Sequence, residues 1–267
     1  ALTVDSTDVT DELTTTDAPA TYTLTNVTTD HTITAGFEKV EYTLTTNTSG
    51  DGTVVEPVQE VTSHSSGTTV DLLASANTGF HFVSWTGNTS TIADPTAADT
   101  SIVMDENKSV TANFEKETYT LETETTGDGT GTITTSPDQA SYEYGTSVEL
   151  TADPETGSKF VEWGKDASGT DLTTTVTMDT NKTVSAQFDL KSYDVTVTAD
   201  PTEGGNVSGG GTYDYGTTAT VSADPAIGYN FVEWANDDTG TTTTDNPYSF
   251  TVETTTDLTA NFEKETY

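Results

Sequence analysis

The sequence contains no cysteine and no arginine, and each absence excludes a class of structure or partner. Without cysteine, no disulfide bond can stabilise a small domain and no thiolate can carry out chemistry. Only eight lysines oppose 44 acidic residues, which gives a formal net charge of −36. Because such a charge repels duplex DNA and anionic membranes, we expect no nucleic-acid partner. It suits a surface adapted to high salt or divalent cations, or an ordinary self-repelling soluble surface.

Long apolar runs and helical periodicity are missing as well. No run of 18 apolar residues occurs, so we expect no membrane insertion in this segment. No segment places apolar residues at i, i+3, i+4 and i+7, the pattern of an amphipathic helix. Hydrophobic residues make up 31% of the chain, too few for one large core. Threonine, about a quarter of the residues, favours strands. These features predict small all-β domains.

The sequence does contain an internal repeat of about 75 residues. A Gly-Thr block is followed 18 residues later by tryptophan in three places, Gly67–Trp85, Gly145–Trp163 and Gly216–Trp234. A phenylalanine closes each unit, and these phenylalanines are 77, 74 and 74 residues apart. The predicted repeat core consists of Trp85, Trp163, Trp234, Phe37, Phe114, Phe188 and Phe262. A period of this length is typical of a string of small domains rather than of a solenoid.

The repeat divides the chain into four parts. Residues 1–40, the half-unit, match only the C-terminal half of a repeat, whereas residues 41–117, 118–191 and 192–266 are complete repeats. Each complete repeat shows the pattern of about six strands. The strand that carries tryptophan, the Trp strand, has apolar residues at alternating and at intervening positions. Strict alternation would place Phe231 and Trp234 on opposite faces, which predicts a strand covered on both sides or packed on the next repeat.

The junctions between the parts are short. Four residues separate each closing phenylalanine from the next tyrosine, and none of them is glycine or proline. We therefore expect semi-rigid junctions and an elongated string. The half-unit lacks a Gly-Thr block and a Trp strand. Either it is a slice of a longer array, or a neighbouring subunit supplies its missing strands, because open strand edges recruit strands from other chains.

The order of these motifs resembles the divergent InlB B-repeat family of bacterial and archaeal surface proteins. The resemblance rests on YDYGTTATVSADP and GYNFVEW in the third repeat, and on the closing segments MDENKSVTANF and MDTNKTVSAQF. The first repeat departs most, with SHSSGT before its Gly-Thr strand. The family implies a β-grasp-like domain in tandem arrays that act as stalks, spacers or adhesive modules. A β-grasp carries a helix across its sheet; because no helical pattern occurs here, we expect an all-β domain.

Catalytic and cofactor sites find little support. The three histidines, His31, His64 and His81, occupy different repeat positions, so we predict no enzyme and no cofactor. Calcium is the one candidate ion, since carboxylates crowd the turns at Asp51, Asp105, Asp128, Asp179, Asp237 and Asp238. No known calcium-loop motif accompanies them, and aspartate also favours turns by itself. Lys108 and Lys182 are aligned, and we interpret them as turn residues rather than as partners in an isopeptide cross-link.

Two kinds of surface site remain. Six Asn-x-Ser/Thr sequons are candidate glycosylation sites: Asn26, Asn47, Asn88, Asn107, Asn181 and Asn206. Two tyrosine pairs, Tyr142/Tyr144 and Tyr213/Tyr215, form either glycan-binding platforms or part of the sheet packing, and strand preference favours packing.

The pattern favours a non-catalytic structural repeat protein, extracellular or at the cell surface, that forms a stalk or a fibre subunit. Its expected partners are copies of itself or further repeats of the same chain. The alternative is an adhesin segment that binds a glycan or a protein of a host or neighbouring cell.

Overall fold

The computed structural model describes residues 1–13, 20–58 and 60–266, and in these ranges the chain consists almost entirely of β-strands and turns. The only helical segments among these residues are two 3-10 turns, Thr10–Glu12 and Thr202–Gly204. The all-β class is therefore confirmed, and within the described ranges no α-helix crosses a sheet as in a β-grasp. The chain divides into two compact units, Ala1–Lys116 and Glu117–Tyr267.

The first unit holds the half-unit and the first repeat. The strands of the half-unit are β1 (Leu2–Val4), β2 (Thr7–Asp8) and β3 (Ile33–Ala35). The strands of the first repeat are β4 (Glu41–Ser49), β5 (Gly52–Glu56), β6 (Val61–Ser65), β7 (Thr69–Ala76), β8 (Phe80–Gly87), β9 (Asp99–Val103) and β10 (Lys108–Lys116).

The second unit holds the other two repeats. The strands of the second repeat are β11 (Thr118–Tyr119), β12 (Leu121–Thr126), β13 (Gly131–Ser136), β14 (Tyr142–Glu143), β15 (Ser147–Pro154), β16 (Ser158–Lys165), β17 (Thr173–Thr177) and β18 (Lys182–Leu190). The strands of the third repeat are β19 (Ser192–Asp200), β20 (Gly205–Ser208), β21 (Gly211–Asp214), β22 (Thr218–Pro225), β23 (Tyr229–Asn236), β24 (Thr242–Thr243), β25 (Tyr248–Thr251) and β26 (Thr256–Lys264).

Each complete repeat places one core between two main sheets, and the second repeat has an additional two-stranded sheet, β11-β14. In the first repeat the two main sheets have the strand orders β6-β4-β10-β8 and β5-β7-β9. The first strand, β4, and the closing strand, β10, run parallel at the centre of one sheet, and β10 pairs antiparallel with the Trp strand, β8. Alternation along β7 buries Val70, Leu72 and Ala74 against this sheet. The short strand before the Gly-Thr block, β6 here, pairs with β4 and brings the count above the six strands that the sequence predicts.

A β-bulge in the Trp strand corrects the prediction that its two faces are both covered. In the third repeat the register shifts between Phe231 and Glu233, which leaves Val232 as the extra residue. The shift turns Phe231 and Trp234 to the same face, where their ring centroids are 5.9 Å apart. Phe231 also meets Phe262 of the closing strand edge to face. The first and second repeats have the same bulge and the same three-ring cluster.

A glycine lies beside the closing phenylalanine in every complete repeat. A Cβ at Gly52, Gly131 or Gly205 would come within 2.5–2.6 Å of the ring of Phe114, Phe188 or Phe262. Since such contacts do not occur between real side chains, each ring requires a residue without a side chain at this position. The sequence suggests Gly52 and Gly205 only as part of a hairpin turn, and it assigns no role to Gly131.

The half-unit forms a single sheet with the order β2-β1-β3. Leu2 pairs with Ala35 just as Trp85 pairs with Ala112, so β1 lies where a complete repeat has its Trp strand. Within the described residues no strand lies at the other edge of β3, and residues 20–32 form no strand. In a complete repeat the Gly-Thr strand would pair with that segment.

Phe37 does not belong to a core, contrary to the sequence prediction. Its side chain is 94% exposed, whereas Trp85, Trp163, Trp234 and the other three closing phenylalanines are buried. Phe114, by contrast, packs against the ring of Phe82 and over Gly52.

Candidate functional site

The first repeat, the second repeat and the half-unit each place a lysine or histidine against a carboxylate at one repeat position, where the third repeat has Thr256. The Nζ atom of Lys108 lies 2.6 Å from Oδ1 of Asp105, and Lys182 makes the same contact with Asp179. In the half-unit, the Nδ1 atom of His31 takes this position, 2.7 Å from Oδ2 of Asp5. The side chain of Lys108 is fully buried apart from this contact, which shows that it also fills the end of the core.

These pairs change the acidity of the carboxyl groups. The hydrogen bond from Lys108 holds the pKa of Asp105 below its usual value, and Lys182 does the same to Asp179. Asp179 in turn raises the pKa of Lys182. In the half-unit, hydrogen bonds from His31 and from the Thr32 amide lower the pKa of Asp5. The aligned lysines are therefore ion-paired, and the structure brings neither of them to a side-chain amide.

The acidic turns do not assemble a calcium site among the described residues. No group of three or more carboxylate or histidine side chains converges in residues 1–13, 20–58 and 60–266. Several of the candidate carboxylates bind protein donors instead. Asp237 accepts from the Thr259 hydroxyl, and Asp238 accepts from the amide of Asp257. Calcium binding stays a prediction.

All six sequon asparagines are exposed. The Oδ1 atoms of Asn107 and Asn181 accept the amide protons of Thr43 and Thr120 at 2.8 and 2.9 Å, and thereby cap the first strand of their repeats. Asn88 accepts in the same way from the Ser109 amide. A glycan attaches through Nδ2, so these three bonds leave the attachment atom available. Asn47 instead donates from Nδ2 to Ser109 Oγ and to the carbonyl of Val110. Asn26 and Asn206 lie exposed in the half-unit and on β20.

The paired tyrosines pack rather than form open platforms. Tyr142 is buried, and its hydroxyl donates to the carbonyl of Pro137 at 2.9 Å. Tyr213 is half-buried and donates to the carbonyl of Gly209 at 2.8 Å. Tyr215 lies beside Tyr193, with ring centroids 6.5 Å apart.

The second and third repeats meet at a junction whose contacts the sequence did not suggest. Lys191 alone separates the closing strand β18 from the first strand β19. Its amide donates to the carbonyl of Gly157 in the second repeat, and its carbonyl accepts from the amide of Tyr215 in the third, both at 2.8 Å. The ring of Tyr215 lies on Gly157, where any Cβ would overlap it. The Gly-x-x-Phe and Tyr-x-Tyr-Gly motifs recur in the sequence, but the sequence alone does not indicate that the glycine of one contacts the tyrosine of the other.

One protein family has a sequence profile that matches the chain three times, at residues 42–118, 119–192 and 195–266. The family is described as the divergent InlB B-repeat domain. The chain belongs to this family. The resemblance drawn from the sequence is thus confirmed, and the three InlB B-repeats follow one another in tandem. Residues 1–41 lie outside the matched ranges.

Comparison with other proteins adds little to the family assignment. No curated protein matches the chain. Among solved structures, the Bacillus anthracis TIE protein has 9% identity and a TM-score of 0.43, and the match covers 88% of this chain and 53% of TIE. The chain thus spans about half the length of that protein. The major pilin of Streptococcus pyogenes, in a mutant form, has 11% identity and a TM-score of 0.14, with 84% and 97% covered. Similarity at these scores supports no inference about the InlB B-repeats.

Among its described residues, the chain of InlB B-repeats has no helix long and apolar enough to cross a bilayer.

Proposed function

We propose that this chain is a non-catalytic structural segment of a cell-surface protein, serving as an extracellular stalk or as the subunit of a fibre. The observation that carries the proposal is the junction at Lys191. Both backbone hydrogen-bonding groups of this residue are used, one by each neighbouring repeat. A linker without free backbone groups transmits orientation from one repeat to the next, as a stalk requires.

Charge and composition support the same function. A net charge of −36 keeps neighbouring molecules apart and keeps the surface hydrated. The proposal needs no cofactor. Its partners are further repeats of the same chain or other copies of it, and its exposed sequons are the proposed glycosylation sites.

Location and shape test this proposal together. An antibody against the chain is applied to intact and to permeabilised cells of the source organism, and the purified chain is imaged by electron microscopy. We expect equal labelling of both samples and rods or fibres in the images. Labelling that requires permeabilisation, or images that show only round particles, would contradict the proposal. The mass of the native polypeptide before and after deglycosylation tests the sequons.

A second candidate function, an adhesin segment, is favoured by one groove in the first repeat. A cavity of about 480 Å³ lies between β4 and β5 and is lined by Asn47, Pro57 and Val58 among others. A smaller cavity of about 310 Å³ lies in the second repeat and is lined by Tyr142 among others. A glycan array probed with the chain and with the Asn47→Ala variant, which truncates a residue that lines the larger cavity, tests this function. Binding by the parent that weakens in the variant would support it, and silence of the parent would exclude glycan recognition.

A further inference from the structure

One of the two hydrogen bonds of the Lys191 junction recurs at the C-terminal end of the third repeat. The amide of Glu265 donates to the carbonyl of Gly228 at 2.9 Å, just as the amide of Lys191 donates to Gly157. Glu265 and Lys191 hold the same repeat position, three residues after the closing phenylalanine. Gly228 and Gly157 are equivalent too, since each lies six residues before the tryptophan, and both have φ near +80°.

The two glycines differ in what covers them. Gly157 is buried under the ring of Tyr215, whereas nothing lies within 4 Å of the position that a Cβ would take at Gly228. Beside Gly228, the side chain of Ile227 is fully exposed, and Thr156 stands at this position in the second repeat. The backbone contact of the junction is therefore present at Gly228, whereas the ring that covers the equivalent glycine is not.

We propose that the turn at Ile227 and Gly228 is an acceptor face for a further InlB B-repeat in the same polypeptide. The incoming repeat would place the second tyrosine of a Tyr-x-Tyr-Gly turn on Gly228, and that tyrosine's amide would donate to the carbonyl of Glu265. The occupant is continuous with this chain, because the observed junction spans a single residue and uses both of its backbone groups. This inference rests on the proposed function as a string of repeats and adds the contact that sets each junction.

Complete repeats of this sequence contain the Tyr-x-Tyr-Gly motif that such an occupant needs, at residues 142–145 and 213–216. The second and third repeats both carry the required tyrosine, Tyr144 and Tyr215. The first repeat has Ser66 there; its amide still donates to the carbonyl of Val40, and a cavity of about 350 Å³ lies beside it. Serine therefore occurs naturally at this position and is a suitable replacement that lacks the aromatic ring.

The test extends the complete chain by one repeat and follows the α-protons of Gly157 and Gly228 by NMR. Residues 120–191 are fused after Tyr267, so that the new repeat brings its own copy of Tyr144. An α-proton beneath the face of an aromatic ring is shifted upfield. In the parent chain we expect this shift at Gly157 but not at Gly228. In the extended chain we expect an upfield shift at both, and slower hydrogen exchange at the Glu265 amide.

Matched variants identify the cause of the shift. Replacing the added tyrosine by serine, as at Ser66, should abolish the Gly228 shift and leave Gly157 unchanged. Tyr215→Ser should remove the Gly157 shift alone. A second extension, residues 194–266 fused after Tyr267, repeats the test if the first added repeat does not fold. A folded added repeat with no shift at Gly228 in either extension would overturn the proposal.

A concentration-dependent shift at Gly228 in the parent chain would also overturn it, since the occupant would then be a second copy. None of these readouts depends on where the protein resides in the cell. Failure of this inference is therefore distinguishable from failure of the proposed function.

Discussion

The half-unit and the complete repeats end in strands of one pattern but differ in what surrounds those strands. Ile33, Ala35 and Phe37 occupy the positions of Val110, Ala112 and Phe114, yet the first three are exposed and the second three are buried. In the first repeat the closing strand lies between β4 and β8 and beneath a second sheet. In the described part of the half-unit, β1 alone pairs with it. A hydrophobic alternation therefore specifies which face can be buried, and the partner strands decide whether it is.

The largest expected effect comes from removing the closing phenylalanine ring, once in a complete repeat and once in the half-unit. Phe188→Ala should destabilise the second repeat by about 3–5 kcal/mol, because it leaves a cavity next to Phe160 and Trp163. Phe37→Ala should change stability by less than about 0.5 kcal/mol, since its side chain is already in solvent. Urea unfolding followed by resolved NMR signals of each part measures both. A large loss on Phe37→Ala would mean that another chain buries this ring in solution.

A second test concerns the glycine beneath the ring. Gly131→Ala places a Cβ within about 2.5 Å of the Phe188 ring, and the resulting overpacking should cost about 1–3 kcal/mol. Gly36→Ala in the half-unit is the matched control, because its Cβ would meet only Ala1 at 3.7 Å, an ordinary contact. The urea midpoints of the two variants provide the comparison. Equal midpoints would show that the ring can move aside freely.

A third test removes the cap on the first strand. Asn181→Ala deletes the acceptor of the Thr120 amide, and loss of this hydrogen bond should cost about 0.5–1.5 kcal/mol. The equivalent residue in the half-unit is Asp30, and the described half-unit has no first strand to cap. Asp30→Ala should therefore leave stability unchanged. Hydrogen exchange at the Thr120 amide is the most direct measurement, and unchanged protection there would contradict the assigned role of Asn181.

The smallest expected effect is the response of the closing-turn ion pairs to pH. Lys182 lowers the pKa of Asp179, so this pair stabilises the folded state above the ordinary aspartate value of 3.8 and loses its effect as pH falls through the lowered pKa. Asp179 also raises the pKa of Lys182, so the contribution is lost again when pH rises through that raised value, above 10.5. Thermal unfolding between pH 2 and 6 should show a shallower acid loss in Asp179→Asn than in the parent. Identical profiles would show that the pair contributes nothing.

Much of the fold followed from sequence patterns because those patterns are local. Alternation along the Gly-Thr and closing strands, glycine-rich turns and the 75-residue period predict all-β repeats, and the family match agrees. What the patterns missed depends on contacts distant in sequence. The bulge at Val232 reverses the expected direction of Phe231, and one extra residue leaves no mark on the alternation until the partner strand is known.

For the candidate site, too, local features were predicted from the sequence and contacts between distant residues were not. The exposure of Asn107 and Asn181 was predicted from their place in turns, but their roles as caps on distant strands were not. The burial of Lys108 escaped sequence reasoning because a turn lysine is expected to lie in solvent, whereas this side chain is buried and its Nζ atom meets Asp105. The seating of Tyr215 on Gly157 joins two repeats, so no single repeat shows it.

The parallel pairing of the first and closing strands has a mechanical consequence. In each complete repeat the chain enters along one strand and leaves along its neighbour in the same direction, with six residues in register across the pair. Tension on the two ends of a repeat therefore pulls these strands lengthwise past each other. Their hydrogen bonds are loaded together in shear rather than opened one at a time, so each repeat should resist stretching until the whole pair gives way.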